Sequence, residues 1–238
     1  MLVIPAIDLK QGCVVRLVEG RFKKKIYSRD PLKTARRWEE EGAEFLHLVD
    51  LDGAMSGRPR NLGIVKEIAN KVGVPVECGG GIRNIRTIKS LLNSGIARVV
   101  LGTRVATDRE FLRKALKQFG DKVIVSVDAR DNNVCIRGWK DRTGINAASF
   151  IKDLKKTGLR RIIYTDISKD GTLKGPNLKS IRQILKDTGI KMIASGGISA
   201  LSDIRRIKAL EKEGVIGIII GKALYERRFT LTRALKLV

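Results

Sequence analysis

The sequence predicts one (βα)8 barrel spanning residues 1–238. Three features predict it. Short apolar runs alternate with amphipathic stretches from one end to the other, eight such pairs fit the length, and the second half repeats landmarks of the first. The runs at 2–7, 45–49, 75–78, 98–101, 122–127, 160–165, 191–194 and 215–220 are the predicted strands. They are apolar throughout instead of alternating, which is the pattern of a parallel sheet covered on its outer face. Segments 31–41, 85–93, 108–118, 147–157, 178–187 and 202–212 carry helical patterning between them. An α/β alternation of this kind over about 250 residues suits a closed barrel. The alternative is an open doubly wound sheet, but no Gly-x-Gly-x-x-Gly fingerprint follows the first strand.

The repeat sharpens this prediction. IPAIDLKQGCVVR near the start matches VSVDARDNNVCIR in the middle and pairs Asp8 with Asp128. HLVDLDGAMSGRPRNL matches YTDISKDGTLKGPNL and pairs Asn61 with Asn177. Gly80-Gly81-Ile82 pairs with Gly196-Gly197-Ile198, and Leu101-Gly102-Thr103 with Ile220-Gly221-Lys222. Four landmarks in one order imply two half-barrels, approximately 1–120 and 121–238, fused into a single domain.

Composition narrows the function classes. Lys and Arg total 48 against 25 Asp and Glu, a formal charge of +23. Such a charge raises the possibility of nucleic-acid binding. However, the basic residues are spread over most predicted helices with one dense run, Lys23-Lys24-Lys25, and no zinc finger, RNP-like sequence or basic heptad accompanies them. A solvated Lys/Arg-rich exterior, as in heat-adapted proteins, is the favoured reading, and its field would also attract an anionic metabolite. No apolar stretch is long enough to cross a bilayer, and no basic segment precedes the first apolar run. Cys13, Cys78 and Cys135 are scattered and lack metal-ligand spacing, which predicts a reduced, cytoplasmic, zinc-free protein. No nucleic acid and no membrane are expected as partners, and the chain is taken as a monomer.

The active site of such a barrel lies at the C-terminal ends of its strands. Asp8 ends the first predicted strand and Asp128 the fifth, on opposite sides of the mouth. A carboxylate there is costly to bury without a partner or a task. A facing pair suits removal of a proton from one atom and its delivery to another. Capping of the next loop is the alternative for either Asp alone. Gly80 and Gly81 follow the third strand, Gly196 and Gly197 the seventh, with Gly102-Thr103 after the fourth and Gly221-Lys222 after the eighth. Glycine admits an anion close to backbone N–H groups at a helix start. Two such cradles on opposite rims predict a long ligand with a phosphate at each end.

Further candidates lie in the loops. Thr165 ends the sixth strand, and Asp170 and Gly175 follow it in a segment where Asp170-Gly171 matches Asp52-Gly53. His47, the single histidine, shares strand parity with Val49, the counterpart of Thr165. It is expected either to face the interior and touch substrate or to be a satisfied core imidazole. Arg16 and Arg83 follow the first and third strands as candidate anion ligands, with surface charge as the alternative. Trp139, in Arg137-Gly138-Trp139-Lys140-Asp141, suits stacking on a flat heterocycle as a loop closes over it, or packing beneath that loop. A single histidine and no Ser–His–Asp pattern argue against a serine triad.

IPAIDLKQGCVVRL, HLVDLDGA, ECGGGIR, the fifth-strand Asp, TDISKDGTLKGPN and ASGGIS closely resemble the phosphoribosylformimino-5-aminoimidazole carboxamide ribotide isomerase family of histidine biosynthesis, across essentially the whole chain. The resemblance implies an Amadori rearrangement of an aminoaldose to an aminoketose on a bisphosphorylated small molecule, with no metal or organic cofactor. It implies Asp8 as the general base for the C2′ proton and Asp128 as the acid for the furanose oxygen. Asp170 is a second candidate for that acid, with Thr165 holding substrate. The cyclase subunit of imidazole glycerol phosphate synthase is the nearest rival. Ala6-Ile7-Asp8-Leu9 and Lys169 stand where that cyclase has a Cys-Leu-Asp-Val type of strand and an Arg. Relatives that also isomerise phosphoribosylanthranilate are a further alternative, and a non-catalytic nucleic-acid-binding barrel is the rival from another class.

Overall fold

In the computed structural model the chain is described over residues 1–18, 21–139 and 141–238, with the side chains of 17, 18 and 21–24 left aside. Lys140 therefore lies outside the described residues, as do the side chains of Lys23 and Lys24. The strands are β1 (Leu2–Lys10), β2 (Cys13–Val18), β3 (Arg21–Ser28), β4 (Leu46–Asp50), β5 (Val76–Gly79), β6 (Arg98–Leu101), β7 (Val123–Arg130), β8 (Asn133–Ile136), β9 (Asp141–Asn146), β10 (Arg161–Asp166), β11 (Lys191–Ser195) and β12 (Val215–Ile220). Eight of them close a parallel ring in the order β1, β4, β5, β6, β7, β10, β11, β12 and back to β1. β1 and β7 face each other across it.

Helices cover the outside, and their caps explain where they begin. Asp30, Asn84, Asp108, Asn146 and Asn177 each accept a backbone N–H from the first turn of the helix that follows. Such a cap is typically worth about 1 kcal/mol. Apolar faces of these helices bury residues such as Trp38, Ile88, Leu112 and Leu154 against outward-facing strand residues. The inward parity is separate: Ile4, Ala6, Val100, Ile124, Ile163, Ile193 and Ile219 form the packed centre of the barrel. No helix among the described residues is long and apolar enough to cross a membrane.

The ends of two strands differ from expectation. β1 continues to Lys10 and β7 to Arg130, so Asp8 and Asp128 lie within strands that leave the ring as hairpins. Each hairpin turns through two residues at positive φ, Gln11-Gly12 after β1 and Asp131-Asn132 after β7. Turns of that kind match the twist of paired strands. Gln-Gly and Asp-Asn are weaker turn signals than Asn-Gly, and neither hairpin is predicted from the sequence.

Candidate active site

The mouth of the barrel holds a cavity of about 510 Å3 lined by residues from all eight ring strands and their following loops. Asp8, Arg16, His47, Gly80, Gly81, Arg83, Gly102, Thr103, Asp128, Trp139, Thr165 and Asp170 all line it. A recess of about 40 Å3 on the rim beside β11 and β12 is lined by Gly196, Gly197, Gly221 and Lys222, with Arg16 and Asp170 shared between the two spaces. Gly175 lines neither. Its carbonyl oxygen instead packs where a Gly197 side chain would begin, so it supports the recess from behind.

The three carboxylates have different surroundings. Asp8 accepts a hydrogen bond from Arg16 Nη1 at 2.8 Å. Arg16 is itself tied to the Ala6 carbonyl at 2.5 Å and lies over the Tyr225 ring. Asp128 accepts from Ser126 Oγ at 2.7 Å on one oxygen and from Trp139 Nε1 at 2.9 Å on the other. Asp170 is half-buried at the cavity wall, and its partial removal from water pushes its carboxyl up to about 7. Arg16 and Lys222 oppose that shift, while the charges of Asp8 and Asp128 add to it. A carboxyl poised there is half protonated near neutrality, which is the condition for a proton donor.

The glycine cradles serve packing as well as access. At Gly80 a side chain would collide with the Asp50 carbonyl, and at Gly196 with the Asp166 carbonyl at 2.9 Å. Both have positive φ, so the fold itself requires glycine at these two positions. Gly102 has open space beside it and φ is negative, so its lack of a side chain leaves room at the cavity wall. The space above Gly221 is filled by the Arg16 guanidinium. The rim beside β11 and β12 thus carries a half-buried cation at the edge of the predicted anion cradle.

The loop match read from Asp-Gly dipeptides needs correction. Asp50 and Asn61 are joined by hydrogen bonds at 2.7 and 2.9 Å, and Asp166 and Asn177 by one at 2.7 Å. These two pairs are the equivalent ties, and counting onward from them puts Ala54 in the place of Asp170. Asp52 instead accepts from Gln11 N and Asn61 Nδ2 and pairs with Lys10, which pins the first hairpin to its neighbour. Trp139 is brought over Asp128 by Arg137, Gly138 and Trp139, three consecutive residues at positive φ. For the two non-glycine residues that backbone is strained.

His47 is 8% exposed and lines the cavity, with Nδ1 2.6 Å from Glu77 Oε1. Sequence reading missed Glu77 and Arg98. The available signal was a lone carboxylate in one short apolar strand and a lone cation starting the next. Ser126, Arg104 and Arg130, which also line the cavity, carried no such signal.

A family model described as "Histidine biosynthesis protein" matches residues 2–230. The chain is similar to three curated proteins each named 1-(5-phosphoribosyl)-5-((5-phosphoribosylamino)methylideneamino) imidazole-4-carboxamide isomerase. That of Desulforudis audaxviator is 48% identical, covering 100% of this chain and 91% of the relative. That of Moorella thermoacetica is 46% identical, covering 99% and 97%. That of Acetivibrio thermocellus is 46% identical, covering 99% of each chain.

Proposed function

Because the chain belongs to the histidine biosynthesis protein family, we propose that it is the aldose–ketose isomerase of that pathway. Its substrate is the bisphosphorylated aminoaldose that the relatives' names describe. The single observation that carries the chemistry is the placement of Asp8 and Asp170 at one cavity, one held by a guanidinium and the other poised near neutrality.

The reaction follows from those two states. Asp170 delivers its proton to the furanose ring oxygen, and the ring opens to an iminium at C1′. Asp8 removes the C2′ proton, which leaves an enolamine. Asp8 returns its proton to C1′ while the O2′ proton passes to Asp170, which gives the aminoketose and restores both carboxyls. Both oxygens of Asp128 already accept hydrogen bonds, so it is assigned to holding Trp139 over the ligand instead of giving a proton. Thr165 contacts the sugar between the two working carboxylates. One phosphate lies against Gly81, Arg83, Gly102 and Thr103. The other lies at the rim formed by Gly197, Gly221, Lys222 and Arg16. These roles require no metal or organic cofactor.

A spectrophotometric assay of purified protein on the aminoaldose, beside phosphoribosylanthranilate, tests the proposal. Turnover of the aminoaldose is expected. Well-folded protein that leaves it unchanged overturns the reading, and turnover of both compounds widens it to a dual-substrate isomerase.

A further inference from the structure

Glu77 and Arg98 take part in none of those steps, yet they are joined to the cavity. Across adjacent strands Ala6, His47, Glu77 and Arg98 stand in register. Glu77 is 0% exposed, with Oε1 on His47 Nδ1 and Oε2 accepting from Arg98 Nε at 2.7 Å. Arg98 Nη2 lies 2.6 Å from the same oxygen without the alignment of a second hydrogen bond. Burial opposes charge on Glu77, but the hydrogen bond from His47 and the Arg98 guanidinium outweigh it and hold the carboxyl below its usual range. An ionised carboxylate only accepts, so His47 Nδ1 carries the proton. Among the described residues no group bonds His47 Nε2, and this atom is not sealed from solvent as an unpartnered buried atom would be. It therefore opens to the cavity that the ring lines.

The barrel does not need this polar row to stand. In the second half the matched positions are Ile163, Ile193 and Gly217, in register with one another and part of, or packed beside, the apolar centre. A buried ion pair commonly brings no more stability than apolar residues of similar volume. The row is therefore better explained by what it presents to a ligand.

We infer that Glu77 and Arg98 fix His47 in the tautomer whose Nε2 lone pair faces the cavity, where it accepts a hydrogen bond from a ribosyl hydroxyl of the substrate. His47 lies one inward layer below Asp8, because Ala6 pairs with His47 and Asp8 with Val49. The sugar that Asp8 deprotonates is thus the group nearest to it. A lone pair repels phosphate oxygens and takes a neutral donor. Glu77 and Arg98 are positioning residues. The identity of the hydroxyl rests on the isomerase reading, whereas the tautomer rests on the hydrogen bonds and charges of the buried row.

One histidine in the chain makes the test direct. With ring nitrogens labelled by 15N, the wild-type spectrum at pH 8 should show Nδ1 protonated and Nε2 bare. Ribose 5-phosphate should move the Nε2 resonance. In Glu77→Gln the carbonyl turns to Arg98 and the amide to His47, so the tautomer inverts and KM for the aminoaldose rises about tenfold, with a smaller change in kcat. A wild-type ring protonated at Nε2 overturns the inference, as does an unchanged tautomer in the variant or an Nε2 signal blind to ribose 5-phosphate. The wild-type spectrum decides the matter even where the variant does not fold. Absent turnover with the expected tautomer would count against the isomerase reading instead.

Discussion

In the first half of the barrel the Asp50–Asn61 tie is followed by Ala54; in the second half the Asp166–Asn177 tie is followed at the matched position by Asp170. The loop frames agree down to the glycines packed against the two aspartate carbonyls. The interiors do not: His47, Glu77 and Arg98 stand against Ile163, Ile193 and Gly217. The frame is held by packing and buried hydrogen bonds, which both halves need equally. The halves differ in what they present to the cavity, with a carboxyl poised near neutrality on one side and the buried His47–Glu77–Arg98 row on the other.

The strongest break in this comparison is at the working carboxylates. Asp8→Asn and Asp170→Asn should each lower turnover roughly 10²–10⁴-fold, as loss of a general acid or base does. Asp128→Asn should cost far less under the roles assigned here, and steady-state kinetics on the three variants checks the order. Glu77→Ala leaves Arg98 buried without its partner and should destabilise by about 3–5 kcal/mol, whereas Glu77→Met with Arg98→Met should recover most of that loss. Chemical denaturation of both reads the difference.

Asp170 also has a stability signature. Its folded value of about 7 lies above its ordinary 3.8. The unfolded chain therefore releases this proton first, and stability falls as pH rises between those values. Asp170→Asn should match wild type near pH 4 and exceed it at pH 8 by up to about 4 kcal/mol. Thermal melts at the two pH values check this. The smallest contrast is Gly80→Ala against Gly196→Ala. Both should destabilise by about 1–3 kcal/mol, with Gly80 the more costly because its side chain would meet the carbonyl more closely.

The ring strands were legible because each is a short apolar run, and all eight appear within a few residues of their predicted limits. The inward parity of His47 and Val49 was also readable. The hairpins after β1 and β7 were not, since their two-residue turns lack a strong turn signature. The Asp52-Gly53 match misled because a dipeptide was compared where the buried pairs Asp50–Asn61 and Asp166–Asn177 set the alignment. Glu77 and Arg98 were visible only as isolated charges. Their meaning depends on register between strands, which no single segment reveals.

The most direct measurement is the pH dependence of kcat on the aminoaldose for wild type and Asp170→Asn. The account predicts a wild-type rate that falls as pH rises through about 7, because the donor must hold its proton, and loss of that limb together with most turnover in the variant. A variant that keeps both wild-type turnover and the falling limb would contradict the assignment of Asp170 and return the donor's role to Asp128.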